Sequence, residues 1–223
     1  MGRRGQSTMA RTTAVAKRAT YHHGNLKEAL IQAARVLIAE RGPAGFTLIE
    51  AARQAGVSSA APYRHFKDRD ALLAEICRRG FVLFGERLQA AWRGAEPDAA
   101  TAFLRMGETY LRFAQEEPGY YAAMFAPRPA ANGRTVADPT GSFGMLEAAI
   151  RQVAGNSAAG ADPHRLAYQV WALSHGIATL AAAGQLPARG KLSPRALLAS
   201  GVAALISSAG LASAARNTLE HGS

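Results

Sequence analysis

The fold of this chain is decided by residues 46–66, FTLIEAARQAGVSSAAPYRHF, where two short helical patterns meet at a Gly-Val-Ser turn. Thr47 is a typical N-cap residue, and Glu50 stands three positions later as its capping-box partner. Gly56 lies where the first helix must end, because glycine adopts a left-handed backbone at no steric cost. The pattern predicts a helix-turn-helix.

The second helix of this motif starts with small side chains and ends in Tyr-Arg-His-Phe. Ser58 or Ser59 is its predicted N-cap. The small residues that follow, Ala60 and Ala61, would let the helix approach a DNA groove closely. This segment is therefore predicted to be a recognition helix, and double-stranded DNA is the predicted partner.

Charge is unevenly distributed along the chain, which carries a net charge of +10. Residues 1–80 hold 14 Lys/Arg against 6 Asp/Glu, whereas residues 81–223 hold 12 against 10. A basic excess of this kind indicates either a solvated face or the binding surface for a polyanion. The helix-turn-helix in the same region favours the polyanion.

The 223 residues are 48% hydrophobic, enough for a large core in one domain or two, and the charge asymmetry favours two. The single cysteine, Cys77, excludes an internal disulfide and fits a reducing cytoplasm; its spacing predicts a buried thiol. The sequence contains no stretch typical of a membrane span or a secretory signal. We expect a cytoplasmic protein.

Three regions are predicted along the chain. Residues 1–22 are expected to be a disordered basic arm, either solvated and inert or lying along DNA. Residues 23–68 are expected to form a three-helix DNA-binding domain. Residues 69–215 are expected to form an all-α second domain, because the helical period continues without an alternating strand pattern.

Helix ends are predicted from periodicity, caps and turn residues. The expected ranges outside the motif are 25–41, a long helix from Asp68 or Asp70 to Trp92, then 98–116, 118–126, 140–154, 163–185 and 194–213. Polar connections are expected at 127–142 and 155–163. The last two helices are dense in Ala, Gly and Ser, which suits either an interface between two subunits or ordinary packing within one chain.

A longer stretch around the motif resembles the N-terminal DNA-binding domain of the TetR family of transcriptional repressors. It covers residues 21–76, YHHGNLKEALIQAARVLIAERGPAGFTLIEAARQAGVSSAAPYRHFKDRDALLAEI. Pro62 departs from the aliphatic residue usual there, and proline is tolerated in the first turn of a helix. In the C-terminal half, YLRFAQEEPGYYAAMF at 110–125 and VWALSHGIATLAAAGQL at 170–186 resemble the Trp-His-Gly (WHG) type of regulatory domain of that family.

The resemblance implies a homodimeric regulator and a set of DNA contacts. Phosphate contacts, which position the protein without reading sequence, would come from Thr47, Ser58, Tyr63, His65 and Lys67. Base contacts would come from Ser59, Ala60, Ala61 and Arg64. Because only Arg64 can pair bidentately with guanine, alanine methyls, the arm and DNA shape are expected to supply the remaining specificity.

The resemblance also implies that the second domain binds a small effector, which shifts the spacing of the two DNA-reading heads of a dimer. The candidate lining is large and mostly apolar: Met106, Tyr110, Phe113, Tyr121, Met124, Phe125, Trp171 and His175. The same residues at helical spacing also fit a plain core. Few acids lie near them, so a neutral or anionic hydrophobic effector is expected over a cationic one.

An enzyme is the competing class of function. The sequence has no GxSxG, P-loop or HExxH motif, and His22 and His23 have no ligand partners at useful spacing. No catalytic group, metal or cofactor is therefore expected. The predicted function is a repressor released from a palindromic operator by a hydrophobic small molecule. The alternatives are an activator, or an architectural DNA-binding protein with no effector cavity.

Overall fold

The structure is a computed structural model that describes residues 26–126, 141–154 and 162–220. Every regular element in these ranges is helical, which confirms the predicted all-α fold. The α-helices are α1 Leu26–Arg41, α2 Leu48–Gln54, α3 Arg69–Trp92, α4 Ala99–Glu116, α5 Pro118–Met124, α6 Ser142–Ala154, α7 Pro163–Ala182 and α8 Pro194–Glu220. Two 3-10 helices lie at Ala61–Arg64 and Arg93–Ala95.

Parts of the prediction fall outside the described residues: the arm at 1–22, the pair His22 and His23, and most of the two polar connections. The other helices lie close to their predicted ranges. α7 ends at Ala182, before Gly184, whose φ is +70°. α8 runs on to Glu220, past its predicted end.

α2 begins with the predicted capping box. The Thr47 hydroxyl oxygen accepts a hydrogen bond from the Glu50 amide at 3.1 Å, and the Thr47 amide donates to Glu50 Oε2 at 2.9 Å. α2 is followed by Gly56 with a φ of +71°, as the turn requires. The Val57 amide then donates to the Ala52 carbonyl at 3.0 Å, which fixes the corner of the helix-turn-helix.

The recognition segment differs from its prediction: only the 3-10 helix Ala61–Arg64 forms, not an α-helix starting at the serines. Pro62 is the physical reason. It has no amide hydrogen to donate to the Ser58 carbonyl four residues earlier. The Ala61 amide instead donates to the Ser58 carbonyl at 3.0 Å, three residues back, which is the 3-10 pattern.

The predicted cap of this segment is also wrong. Ala60 precedes the 3-10 helix, and no side chain, neither Ser58 nor Ser59, caps it. Pro62 itself is buried with less than 2% of its surface exposed, so it serves the core as well as the turn.

α3 joins the two halves of the chain, and its N-cap is Asp68, which accepts from the Ala71 amide at 2.8 Å. From its first residue, Arg69 reaches back to the loop before α2. It donates from Nε to the Phe46 carbonyl at 3.1 Å and from Nη2 to the Pro43 carbonyl. These bonds hold the start of α2 against α3. Cys77 is buried on the same helix, as predicted.

α5 is a short helix wedged between α1 and the second half of the chain. Gly119 allows the closest approach, because a Cβ there would lie 2.3 Å from the Arg35 carbonyl oxygen of α1. The Arg35 guanidinium lies 3.8 Å from the centre of the Tyr120 ring and pairs with Glu117. α1, which packs on the helix-turn-helix, is therefore packed directly on α5.

α7 and α8 pack against each other and against α4. Gly201 of α8 leaves room for Leu173 of α7, whose Cδ2 would lie 2.7 Å from an added Cβ. Within the described ranges, no helix has both the length and the apolar character needed to cross a membrane.

Candidate DNA interface and effector cavity

The side chains predicted to contact DNA lie on the surface of the helix-turn-helix. Ala61 is half-buried. The others are exposed: Thr47, Ser58, Ser59, Ala60, Tyr63, Arg64, His65 and Lys67. Between them, Pro62 and Phe66 turn inward, and Phe66 is only 4% exposed. The segment thus alternates between anchoring side chains and side chains available to a partner.

Two of these residues, Arg64 and Lys67, are positively charged. In the part of the chain that the structure describes, neither Arg64 nor Lys67 forms an ion pair with a carboxylate. By contrast, Arg41 at the end of α1 pairs with Glu50 at 3.0 Å. Hydrogen bonds from Thr47 lower the pKa of the Glu50 carboxyl, so this capping group stays ionised. The surface therefore offers phosphates a capped helix N-terminus and two cationic side chains that have no carboxylate partner among the described residues.

A cavity of about 590 Å3 lies in the second half of the chain, bounded by α3 to α8. Its volume is within the range of small-molecule sites and far above that of ordinary packing voids. Five of the eight predicted effector residues line it: Met106, Tyr110, Met124, Phe125 and Trp171. A cavity of this size argues against the architectural alternative, which requires a solid second domain.

The other three predicted residues do not line the cavity. Phe113 is fully buried and packs on Phe84 with ring centres 5.1 Å apart, so it belongs to the core. Tyr121 and His175 lie outside the layer of side chains that lines the cavity, and their rings stack with centres 5.5 Å apart. His175 also meets the Phe125 ring at 4.7 Å between centres.

Sequence reasoning missed the contributions of α3, α6 and α8. The additional lining is mostly apolar: Phe81, Phe84, Leu88, Phe103, Leu104, Gly107, Glu108, Leu111, Ser142, Phe143, Leu146, Tyr168, Val170, Ser174, Arg195, Leu198, Ala199 and Val202. The sequence did contain a signal for the lining residues of α3, because the apolar spacing of that helix continues well past the helix-turn-helix. Nothing in the spacing separated cavity-facing residues from core residues.

Three polar groups meet at one side of the cavity. The hydroxyl of Tyr121 lies 2.8 Å from His175 Nδ1, and the hydroxyl of Tyr110 lies 3.2 Å from the same nitrogen. The two hydroxyls are 3.4 Å apart. Burial lowers the pKa of His175 and raises the pKa values of Tyr110 and Tyr121. All three groups are therefore uncharged at neutral pH.

Among the described lining residues, the charged groups form one ion pair. Arg195 Nε of α8 lies 2.7 Å from Glu108 Oε1 of α4. The Arg195 side chain is 77% exposed, so the pair is on the solvent side of the cavity. Within the described ranges, no group of three or more His, Cys, Asp or Glu residues could hold a metal ion.

Two family descriptions match the chain. Residues 30–76 match "Bacterial regulatory proteins, tetR family", and residues 103–205 match "Tetracyclin repressor-like, C-terminal domain". No curated protein matches the chain.

Solved structures are similar over most of the chain. A Rhodococcus sp. RHA1 protein of unknown function is 31% identical, with 86% of this chain and 97% of that chain covered and a TM-score of 0.64. The fatty acid degradation regulator FadR from Bacillus halodurans is 14% identical, with 83% and 96% covered and a TM-score of 0.65. A TetR-family transcriptional regulator from Bordetella parapertussis 12822 is 20% identical, with 82% and 95% covered and a TM-score of 0.62.

Proposed function

Because this chain belongs to the TetR family of bacterial regulatory proteins, whose members bind DNA as ligand-responsive dimers, we propose that it is a repressor released from a palindromic operator by a small hydrophobic molecule. The observation that carries the proposal is the cavity of about 590 Å3, whose lining includes Met124 of α5, the helix that packs on α1 of the DNA-binding half. The WHG subtype of the regulatory domain stays a prediction.

The proposed DNA interface divides into positioning and reading contacts. Thr47, at the N-terminus of α2, and Lys67 would contact phosphates, together with Ser58, Tyr63 and His65. Arg64 would read guanine, helped by Ser59, Ala60 and Ala61. This assignment is supported by the exposure of these side chains and by the lack of a carboxylate partner for Arg64 and Lys67 among the described residues.

The proposed dimer interface is formed by α7 and α8. Small exposed side chains repeat on one face of α8 at helical spacing: Ser200, Ala203, Ala204, Ser207 and Ser208. α7 carries a similar exposed face: Ala172, Gly176, Thr179 and Leu180. Small side chains allow close helix packing between subunits, and a two-fold dimer would present two reading heads about 34 Å apart on one side of the duplex.

The proposed route from effector to DNA runs through α5. Gly119 and Tyr120 on this helix face α1, where they meet Arg35. Met124 on the same helix, with Phe125 directly after it, lines the cavity. A ligand that displaces α5 therefore moves α1 and, with it, the reading head. The affinity of a dimer for its operator falls when the two heads no longer match successive major grooves.

The test is a search for compounds that release the protein from DNA fragments it has selected from its own genome. We expect active compounds to bind with one molecule per cavity and to change the fluorescence of Trp171. Ala199→Phe places a ring in the cavity and should keep DNA binding while abolishing release. Release from DNA by compounds that act equally on Ala199→Phe would contradict the proposed cavity.

A further inference from the structure

We propose that the cavity selects an uncharged, mainly apolar ligand by a hydrogen bond from the Tyr110 hydroxyl to an oxygen of that ligand, a carbonyl or ether. The inference rests on the proposed effector function and adds the chemical class of the effector. Tyr121 and His175 contact Tyr110 but do not line the cavity.

The polar cluster of Tyr110, Tyr121 and His175 offers the Tyr110 proton no strong acceptor. A neutral imidazole has one lone pair at an unprotonated ring nitrogen. Tyr121 and Tyr110 both point at His175 Nδ1, at 2.8 Å and 3.2 Å. The shorter contact takes the lone pair, and among the described residues of this cluster the Tyr110 proton then has only the Tyr121 oxygen, at 3.4 Å. A hydrogen bond of that length is weak. Trp171 also hydrogen-bonds Tyr110, but an indole N–H can only donate, so it uses the Tyr110 oxygen and not the Tyr110 proton.

The other imidazole tautomer leads to the same result. If Nδ1 of His175 carries the proton, it donates to the Tyr121 oxygen, and neither hydroxyl proton is needed by the imidazole. In both tautomers of His175, the Tyr110 proton therefore has no strong acceptor in this cluster. Of the three residues in the cluster, only Tyr110 lines the cavity. Its spare proton is available to a ligand oxygen.

The charge of the lining also restricts the ligand. Apart from the exposed pair of Arg195 and Glu108, the lining residues that the structure describes have uncharged side chains. An anionic group near this pair is attracted by Arg195 but repelled by Glu108. A cationic group there is attracted by Glu108 but repelled by Arg195. A charge placed deeper would be buried without a partner, which is strongly unfavourable. The lining therefore favours an uncharged ligand over either ion.

The experiment compares four probes with the same apolar body on the wild-type protein and on Tyr110→Phe. The probes are butyrophenone, butylbenzene, phenylbutyrate and phenylbutylammonium, and the readout is the dissociation constant from calorimetry. Butyrophenone should bind most tightly. Tyr110→Phe should weaken butyrophenone about tenfold, the size of one buried hydrogen bond, and leave butylbenzene within about twofold.

The control variant is Tyr120→Phe, which removes a hydroxyl from a buried tyrosine that packs under Arg35 rather than on the cavity. It should leave the ratio of the butyrophenone and butylbenzene affinities unchanged. Unchanged circular dichroism establishes that each variant is folded.

Three results would overturn the inference. Equal weakening of butyrophenone and butylbenzene by Tyr110→Phe would mean that the hydroxyl reads no ligand oxygen. Tightest binding of phenylbutyrate, lost in Arg195→Gln, would make the ligand an anion held at the ion pair. Both results leave the effector function intact. Failure of all four probes to bind the wild-type protein would overturn the inference and the effector cavity together.

Discussion

Gly119 is the residue on which the contact between α1 and α5 depends. A Cβ at this position would lie 2.3 Å from the Arg35 carbonyl oxygen, a backbone atom that cannot rotate away. Gly119→Ala should therefore push the two helices apart and lower the free energy of unfolding by about 1–3 kcal/mol, as overpacking does. Chemical denaturation followed by circular dichroism measures the change.

Gly144→Ala is the matched control, because nothing lies within 4 Å of a Cβ added to Gly144 in α6. The change there should be neutral, or stabilising by up to about 1 kcal/mol through helix propensity. Equal stability of the two variants would contradict the tight α1–α5 contact.

Arg64 and Lys67 are expected to play different roles although both are exposed and unpaired in the described part of the chain. Arg64→Ala should lose about 1–3 kcal/mol of discrimination between operator variants, because a bidentate contact with a base carries sequence information. Lys67→Ala should weaken binding to all DNA about equally and reduce the slope of affinity against salt by about one.

Fluorescence anisotropy with operator variants at several salt concentrations separates these effects. Arg87→Ala is a control, because Arg87 pairs with Glu116 and Glu117 away from the recognition segment. The role assignment fails if Arg64→Ala and Lys67→Ala change discrimination and salt slope in the same way.

At the scale of elements, α1 and α3 are joined by an ionic network. Glu75 of α3 contacts Arg78, Arg79 and Lys27, and Arg79 also bonds Glu28 of α1. The hydrogen bond from Arg78, followed by that from Arg79, lowers the pKa of Glu75 to about 2. A lowered carboxyl pKa stabilises the folded state above the unfolded value of about 4.5, and this stabilisation is lost as pH falls toward 2.

Glu75→Gln should consequently lower the free energy of unfolding at pH 7 by about 1 kcal/mol, a size typical of a largely solvated network. The difference from wild type should shrink as the pH falls from about 5 to about 2. Urea denaturation across that range measures it, with Glu86→Gln, an exposed carboxylate on the same helix, as the control. A difference independent of pH would show that Glu75 acts through packing rather than charge.

The elements differ in how well the sequence predicts them. The whole of α2, including its N-cap, could be predicted, because Thr47, Glu50 and Gly56 act on backbone groups no more than two turns away. The recognition segment was not, because Pro62 removes one amide hydrogen and a single missing bond converts a short α-helix into a 3-10 turn. Short helices have few other bonds to offset such a loss.

For the whole molecule, the cavity was only partly predictable. Met106 and Phe113 lie two turns apart on the same face of α4. Met106 nevertheless lines the cavity, whereas Phe113 lies in the core. Which of them faces the void depends on where α3, α6 and α8 pack, and these contacts link residues distant in sequence. Periodicity identifies the buried face of a helix but not what lies opposite it.

Dimerisation is a property of the whole molecule and can be tested on α8. Ala204→Glu would place an unpaired carboxylate in the proposed interface, which is unfavourable when buried. We expect monomers in sedimentation velocity and a loss of operator affinity of roughly a hundredfold. Ala74→Glu, at an exposed position on α3, should remain dimeric. A dimeric Ala204→Glu would place the interface elsewhere.

The most direct test of the account is a gel-shift titration of the purified protein against DNA fragments selected from its own genome. It is run with scrambled competitor DNA at two salt concentrations. The account predicts a complex with the stoichiometry of a dimer that survives both the competitor and the higher salt, because base contacts add to phosphate contacts. Binding that competitor and salt abolish for every selected fragment would contradict a sequence-specific regulator.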